Sequence, residues 1–236
     1  MDKKTRKKGW TGRNIRSNGD LTSIYHALYH RFGPQHWWPG ETPFEIVIGA
    51  ILTQNTAWAN VSRAIDNLKQ AGCLDPVTLH RTSVAELASL IRPSGYFRLK
   101  AARLKEFIDY LFSTYRGDLQ QMLHKEIPVL RQELLNIKGI GPETADSVIL
   151  YAAQKPIFVV DAYTKRVFSR HGFFTEDLGY HDVQSFFMNR LPKDVDVYNE
   201  YHALLVRLAK TYCKTRPICD QCPLAYDMSE RNRGIQ

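Results

Sequence analysis

Apolar residues along this chain recur three and four positions apart, and no stretch shows the strict alternation of a half-buried strand. Ile24, Leu28 and Phe32, with Tyr25 and Tyr29, predict an amphipathic helix from Asp20 to Phe32 that ends at Gly33-Pro34. A stronger stripe follows Thr42-Pro43: Phe44, Val47, Ile48, Ile51 and Leu52. Further helices are predicted over residues 59–71, 83–91, 97–115, 162–170 and 181–191, the last stopped by Pro192. Tyr198, Tyr201, Leu204, Leu205 and Leu208 mark a long final helix. The fold class is therefore all-α.

The chemistry is expected where this pattern breaks. Leu134, Leu135 and Ile137 lead into Gly139-Ile140-Gly141, and Pro142 opens a helix carrying Ala145, Val148, Ile149, Ala152 and Ala153. Two glycines one residue apart permit a tight hairpin, and Pro142 suits a first helical position. The free amides of such a turn can receive a phosphate oxygen. The apolar run Ile157-Phe158-Val159-Val160 then ends at Asp161, where a carboxylate can be held rigid and partly dehydrated. Taken singly, Gly-x-Gly is an ordinary helix–helix turn and Asp161 an ordinary helix cap. Elsewhere, Trp37-Trp38 sits in a loop bounded by Pro and Gly, and polar Gln54-Asn55-Thr56 abruptly ends the second stripe before Trp58. Arg92-Pro93-Ser94-Gly95 makes a sharp turn that presents Tyr96. Core packing is the plain alternative for the tryptophans and for Tyr96.

Charge changes the picture modestly. Of the formal net charge of +8, about +6 lies in residues 1–16, where seven Lys and Arg face Asp2 alone. A basic tail over residues 1–19 is expected, able to add sequence-blind attraction to DNA or simply to solubilise. No apolar run is long enough to span a membrane, and the basic start lacks the apolar segment of a secretory signal, so a cytoplasmic protein is expected.

The ordered string from Leu134 through Gly139-Ile140-Gly141, Thr144-Ala145 and Val148 to Val159-Val160-Asp161-Ala162-Tyr163 resembles the helix-hairpin-helix/Gly-Pro-Asp superfamily of DNA base-excision glycosylases, the endonuclease III fold family. The likeness runs from about Asp20 to Cys222. It implies two helical lobes with a DNA cleft between them: residues 41–155 in one, and residues 20–40 with 156–236 in the other. It implies that Asp161 is the catalytic carboxylate, that the hairpin Gly139, Ile140 and Gly141 grips DNA, and that Gln54, Asn55 and Tyr96 enter the duplex around an extruded nucleotide. Arg98 or Lys100 would meet phosphates. The partner would be double-stranded DNA carrying damaged bases, met by a nucleoid-associated monomer.

Two positions refine the expectation. Bifunctional members carry a Schiff-base lysine where this chain has Glu143, so the resemblance implies a monofunctional enzyme that uses water. Gly139-Ile140-Gly141-Pro142-Glu143-Thr144-Ala145-Asp146, together with Trp37-Trp38-Pro39, is most similar to the 3-methyladenine glycosylase branch. That likeness implies an aromatic base pocket in which Trp38 and Trp58 sandwich the flipped base, with Glu143 and Trp37 on its wall. An N-alkylated purine is cationic and suits aromatic faces. The alternatives are a glycosylase for oxidised or mismatched pyrimidines, and a non-catalytic binder of DNA structures.

Cys213, Cys219 and Cys222 are spaced C-x5-C-x2-C, against the family's four-cysteine iron–sulfur loop, and Met228 stands at the fourth position. A [4Fe–4S] cluster with an atypical fourth ligand such as Asp227, zinc, or a vestigial loop are all open. Cys73 is expected to be a packed small residue.

Overall fold

Every regular element is helical among the residues described by the computed structural model, 18–226, with side chains from Leu21 onward. The sixteen-residue basic segment, Asp227 and Met228 lie outside the described residues.

The fold is built around α2 (Pro43–Leu52). Eight of its ten residues are buried, so it is apolar on all sides and must be surrounded. Thr42 caps it, accepting a hydrogen bond from the Glu45 amide at 3.1 Å. Around it pack α3 (Trp58–Gln70), α6 (Phe97–Tyr115) and α9 (Pro142–Ser147) with its continuation Val148–Ala152, which widens into a π-helical turn. The short α4 (Pro76–Arg81), α5 (Val84–Leu90) and α7 (Leu119–Leu123) pack on α6, and α8 (Ile127–Asn136) on α9. A second group forms where α12 (Val195–Thr211) packs on both α1 (Asn18–Phe32) and α10 (Ala162–Arg170). Phe187 of α11 (Tyr180–Met188) joins that group edge-on to Phe168 of α10, 4.7 Å between centroids. The two groups are the two lobes, joined where α12 meets the Val148–Ala152 turn.

The long periodic segments match their expected helices. The short α4 and α7 and the ten-residue α8 escape a reading by stripes, although Asp75-Pro76 and Asp118 are visible caps: Asp75 accepts from Thr78 at 2.9 Å and Asp118 from Gln121 at 3.0 Å. α11 ends at Met188, earlier than expected, because Asn189 and Arg190 already turn back on the helix's last carbonyls. Cys73 is buried. No helix among the described residues is long and apolar enough to cross a membrane.

Candidate active site

The run Ile157–Val160 belongs to no helix and is buried at every position. Phe158 stacks on Phe187 at 4.2 Å, and its carbonyl accepts from Gln184 Nε2 at 2.7 Å. This anchored segment delivers Asp161 to the start of α10, where Oδ1 accepts from the Thr164 amide at 2.7 Å. Its other oxygen faces His202 Nε2 of α12 at 3.6 Å. Burial pushes the Asp161 carboxyl up, but His202 and the Thr164 amide outweigh it, and the net shift is downward. Asp161 is thus an ionised carboxylate lining a cleft of about 860 Å³, open enough to admit a nucleobase.

Glu143, on the first turn of α9, lines the same cleft. It is accessible to solvent, yet neighbouring atoms crowd it enough to dehydrate it. That dehydration, with the charge of Asp161, raises its carboxyl to about 7, His202 opposing. Two facing carboxylates with separated protonation ranges can divide the roles of neutral donor and fixed anion.

Trp37, Trp38 and Trp58 form one wall. Trp38 lies close over α2 because Gly49 has no side chain: a Cβ there would come within 3.3 Å of the indole nitrogen. The sandwich expected of Trp38 and Trp58 is corrected here. Their rings meet edge to face, 5.1 Å between centroids and 84° between planes, so no parallel slot separates them. Each indole fills the edge of its neighbour, as aromatic quadrupoles favour. Trp37 packs at 5.3 Å from Trp38 and 5.9 Å from Trp58.

Another part of the lining is made of turns. Gly139 has φ +91°, and a Cβ would fall 2.5 Å from Arg103 Cγ, so only glycine fits. Ile140 is corrected as a DNA contact: its side chain is in the core and its amide donates to the Ile137 carbonyl at 3.1 Å. The exposed surface of the hairpin is backbone at Gly141, flanked by exposed Lys138. Gln54 bridges to this hairpin, donating to Gly139 O at 3.0 Å and Thr144 Oγ1 at 2.9 Å while its own carbonyl accepts from Arg103. It is fastened rather than free. Asn55, exposed at φ +53°, is the tip of that loop. Tyr96, also left-handed, is 71% exposed on the neighbouring turn.

Lys100 is corrected as a phosphate contact, being only 1% exposed. Its ammonium donates to Leu52 O (2.7 Å), Thr56 Oγ1 (2.6 Å) and Ser94 O (2.7 Å), tying the Gln54 loop to the Tyr96 turn. Burial lowers it to about 8, but three acceptors require three donors, and only the ammonium form has them.

Cys213, Cys219 and Cys222 line a separate apolar cavity of about 320 Å³. Arg170 fastens the loop through Cys213 Sγ (3.4 Å) and the Lys214 and Thr215 carbonyls. Burial raises the Cys222 thiol, and the other two cysteines add to the rise. None of the three is in a disulfide, and no three His, Cys, Asp or Glu side chains among the described residues converge as metal ligands. The described residues therefore do not complete a site for a [4Fe–4S] cluster or for zinc.

Four residues that line the cleft, His202, Arg103, Tyr180 and Lys210, and the buried Tyr151 beside His202 escape the sequence reading. His202 and Tyr151 sit inside apolar stripes and look like core; Arg103 looks like a surface charge on α6; Tyr180 lies at a helix start. The one signal in the sequence is His202 itself, an ionisable residue amid Tyr198, Tyr201 and Leu205.

Residues 48–193 match the model of the HhH-GPD superfamily of base excision DNA repair proteins. A protein of Methanocaldococcus jannaschii, assigned by inference as a DNA repair glycosylase, is 47% identical over 206 residues, covering 86% of this chain and 93% of its own. The H. pylori 3-methyladenine DNA glycosylase MagIII, solved bound to 1,N6-ethenoadenine, is 27% identical with a TM-score of 0.69 over 82% of this chain and 95% of that one. A trapped covalent intermediate of endonuclease III with DNA is 25% identical with a TM-score of 0.77, over 90% and 95%.

Proposed function

We propose that this chain, which belongs to the HhH-GPD superfamily of base excision DNA repair proteins and is a DNA glycosylase of that family, hydrolyses the N-glycosidic bond of an alkylated purine flipped from double-stranded DNA and leaves the abasic site uncut. The observation that carries the reading is the pairing of Asp161, held ionised in the cleft, with Glu143 at the hairpin-helix position where lyase members are expected to have an amine.

Breaking the bond from sugar C1′ to the base nitrogen leaves positive charge on the sugar ring, and the bond's electron pair departs with the base. Asp161 faces that charge and takes a proton as water oxygen bonds to C1′. A cationic N-alkylpurine leaves as a neutral molecule and needs no proton. It is attracted to an indole face, by about 0.5–2 kcal/mol for a cation over an aromatic ring. With the three indoles packed edge to face, the base stacks on one ring of the cluster instead of between two. Glu143, half protonated near neutrality, supplies a donor to a ring nitrogen on the base edge. MagIII acting on 3-methyladenine supports the choice of purine. Gly141 and Lys138 would meet the phosphates, while Asn55 and Tyr96 would enter the duplex, braced by Gln54 and Lys100.

A second reading, lyase chemistry, has one observation in its favour: Lys210 lines the same cleft, its ammonium 5.9 Å from the Tyr163 ring centroid. One panel of lesion duplexes, incubated with and without alkali and with borohydride, separates the readings. Base release from methylated purines, with strand breaks only after alkali, supports hydrolysis. A borohydride-trapped adduct that disappears in Lys210→Ala supports the lyase, and release of oxidised pyrimidines alone contradicts the purine assignment.

A further inference from the structure

From Asp161 a polar chain runs inward, from His202 on the cleft lining to buried Tyr151. His202 is 5% exposed within an otherwise apolar stretch of α12, and Tyr151 is 1% exposed in the π-helical turn. Tyr151 Oη lies 2.5 Å from His202 Nδ1. His202 Nε2 has no hydrogen-bond partner within bonding distance among the described residues, and it lies 3.6 Å from Asp161 Oδ2. Tyr151 also packs against Trp38 of the base wall, 5.0 Å between ring centroids.

A buried imidazole left with an unused nitrogen is rare unless something uses it. Tyr151 is a phenol in a dry setting beside Asp161, which keeps its proton on and makes it a donor. An O–H donated to Nδ1 leaves the proton of a neutral imidazole on Nε2, pointing at the carboxylate. Separations of this kind in an unliganded site commonly shorten when substrate binds.

We propose that His202 is a positioning residue for the excision reaction: with its tautomer set by Tyr151, it holds the second oxygen of Asp161, so that the carboxylate plane is fixed from both sides. Thr164 holds one oxygen through its amide and His202 the other. The logic is that of a carboxylate–imidazole–hydroxyl array run in reverse, the carboxylate being the working end. Because Tyr151 touches Trp38, a base stacked on the indole wall presses on the same array that sets Asp161. Recognition and chemistry would then share one mechanical connection. This inference rests on Asp161 being the reaction's carboxylate.

The acid limb of the rate profile reports on the arrangement. Facing Asp161 are His202 from α12, Glu143 from α9 and Tyr151 from the turn that follows it, with Tyr180 of α11 and Lys210 of α12 on the same cleft. Of these, His202 is the group that holds Asp161 below the ordinary carboxylate range against its burial. Without it, the acid limb should move to higher pH.

The test is single-turnover release of a methylated purine across pH by His202→Leu, His202→Gln, Tyr151→Phe and Asp161→Asn, with affinity for abasic-site DNA and Tm measured in parallel. His202→Leu should slow release about 10- to 100-fold, the loss of one hydrogen bond to a charged group, with abasic-DNA affinity unchanged and the acid limb moved up. His202→Gln, whose amide can reach the same oxygen, should recover most of the rate. Tyr151→Phe, which keeps the ring, should lose a few-fold and shift the limb the same way. It carries the test if the leucine variant does not fold. An unmoved acid limb in His202→Leu or Tyr151→Phe overturns the inference, as does equal loss in the glutamine and leucine variants. Full activity in Asp161→Asn would instead overturn the proposed function beneath it.

Discussion

Asp161 joins a structural role to the proposed chemical one. As the N-cap of α10 it satisfies an amide that would otherwise be orphaned, and the same bond aims its charge into the cleft. Glu143 is its counterpart, and its raised carboxyl has consequences of definite sign. Folded, it binds a proton that the unfolded chain releases above its ordinary value of 4.5. Its contribution to stability is therefore fully present below 4.5 and is lost as pH rises through about 7. Glu143→Gln should gain Tm relative to the wild type between pH 5 and 8, measured by calorimetry at each pH. For neutral damaged purines, which need a donor, the wild-type rate should fall through an inflection near 7 that the glutamine variant lacks. A profile with the same inflection in both proteins would remove Glu143 from the reaction.

At the scale of elements, the wall that contains the hairpin is one braced unit. Gly139 has no alternative, because positive φ and the Arg103 side chain both exclude a Cβ. Gly139→Ala should displace Arg103 and release Gln54, weakening DNA binding about 10-fold or more, a loss of at least about 1.4 kcal/mol, as read by a titration with abasic duplex. Lys100→Met removes three donors at once and leaves buried acceptors unpaired, so it should destabilise the protein by about 2–5 kcal/mol in urea unfolding. Hydrogen exchange should then quicken over both the Gln54 loop and the Tyr96 turn, and quickening in only one would contradict the brace. These elements also show what the sequence makes legible. Stripes such as Phe44 to Leu52 and Tyr198 to Leu208 announce their helices because burial repeats with the helical period. Gly139-Ile140-Gly141-Pro142 announces its turn because few other residues fit. Lys100 and Ile140 are misplaced by a sequence reading because composition near a turn does not reveal which side of the backbone a side chain takes. The edge-to-face packing of Trp38 and Trp58 depends on Gly49 and Tyr151, neighbours that no local pattern encodes.

For the whole molecule, charge and chemistry are separable. Most of the net positive charge falls in the first sixteen residues, far in sequence from the hairpin and Asp161. A chain lacking residues 1–16 should bind DNA more weakly and with a shallower dependence on salt, by about 0.9 in the log–log slope for each phosphate no longer neutralised, yet release base at the same single-turnover rate once saturated. A slower saturated rate would tie the basic segment to the chemistry. The two lobes meet at the cleft, to which one contributes Gln54 and Glu143 and the other Asp161 and His202. Single-lobe sequence patterns cannot show this meeting, which explains why His202 is legible only in three dimensions.

The most direct measurement is single-turnover release of free base from a duplex carrying one methylated purine, comparing wild type with Asp161→Asn while DNA affinity is recorded for both. The account predicts release by the wild type, a fall of about 100-fold or more in the asparagine variant, and unchanged affinity. Equal release by the two proteins, or none by the wild type on any damaged purine, would contradict it.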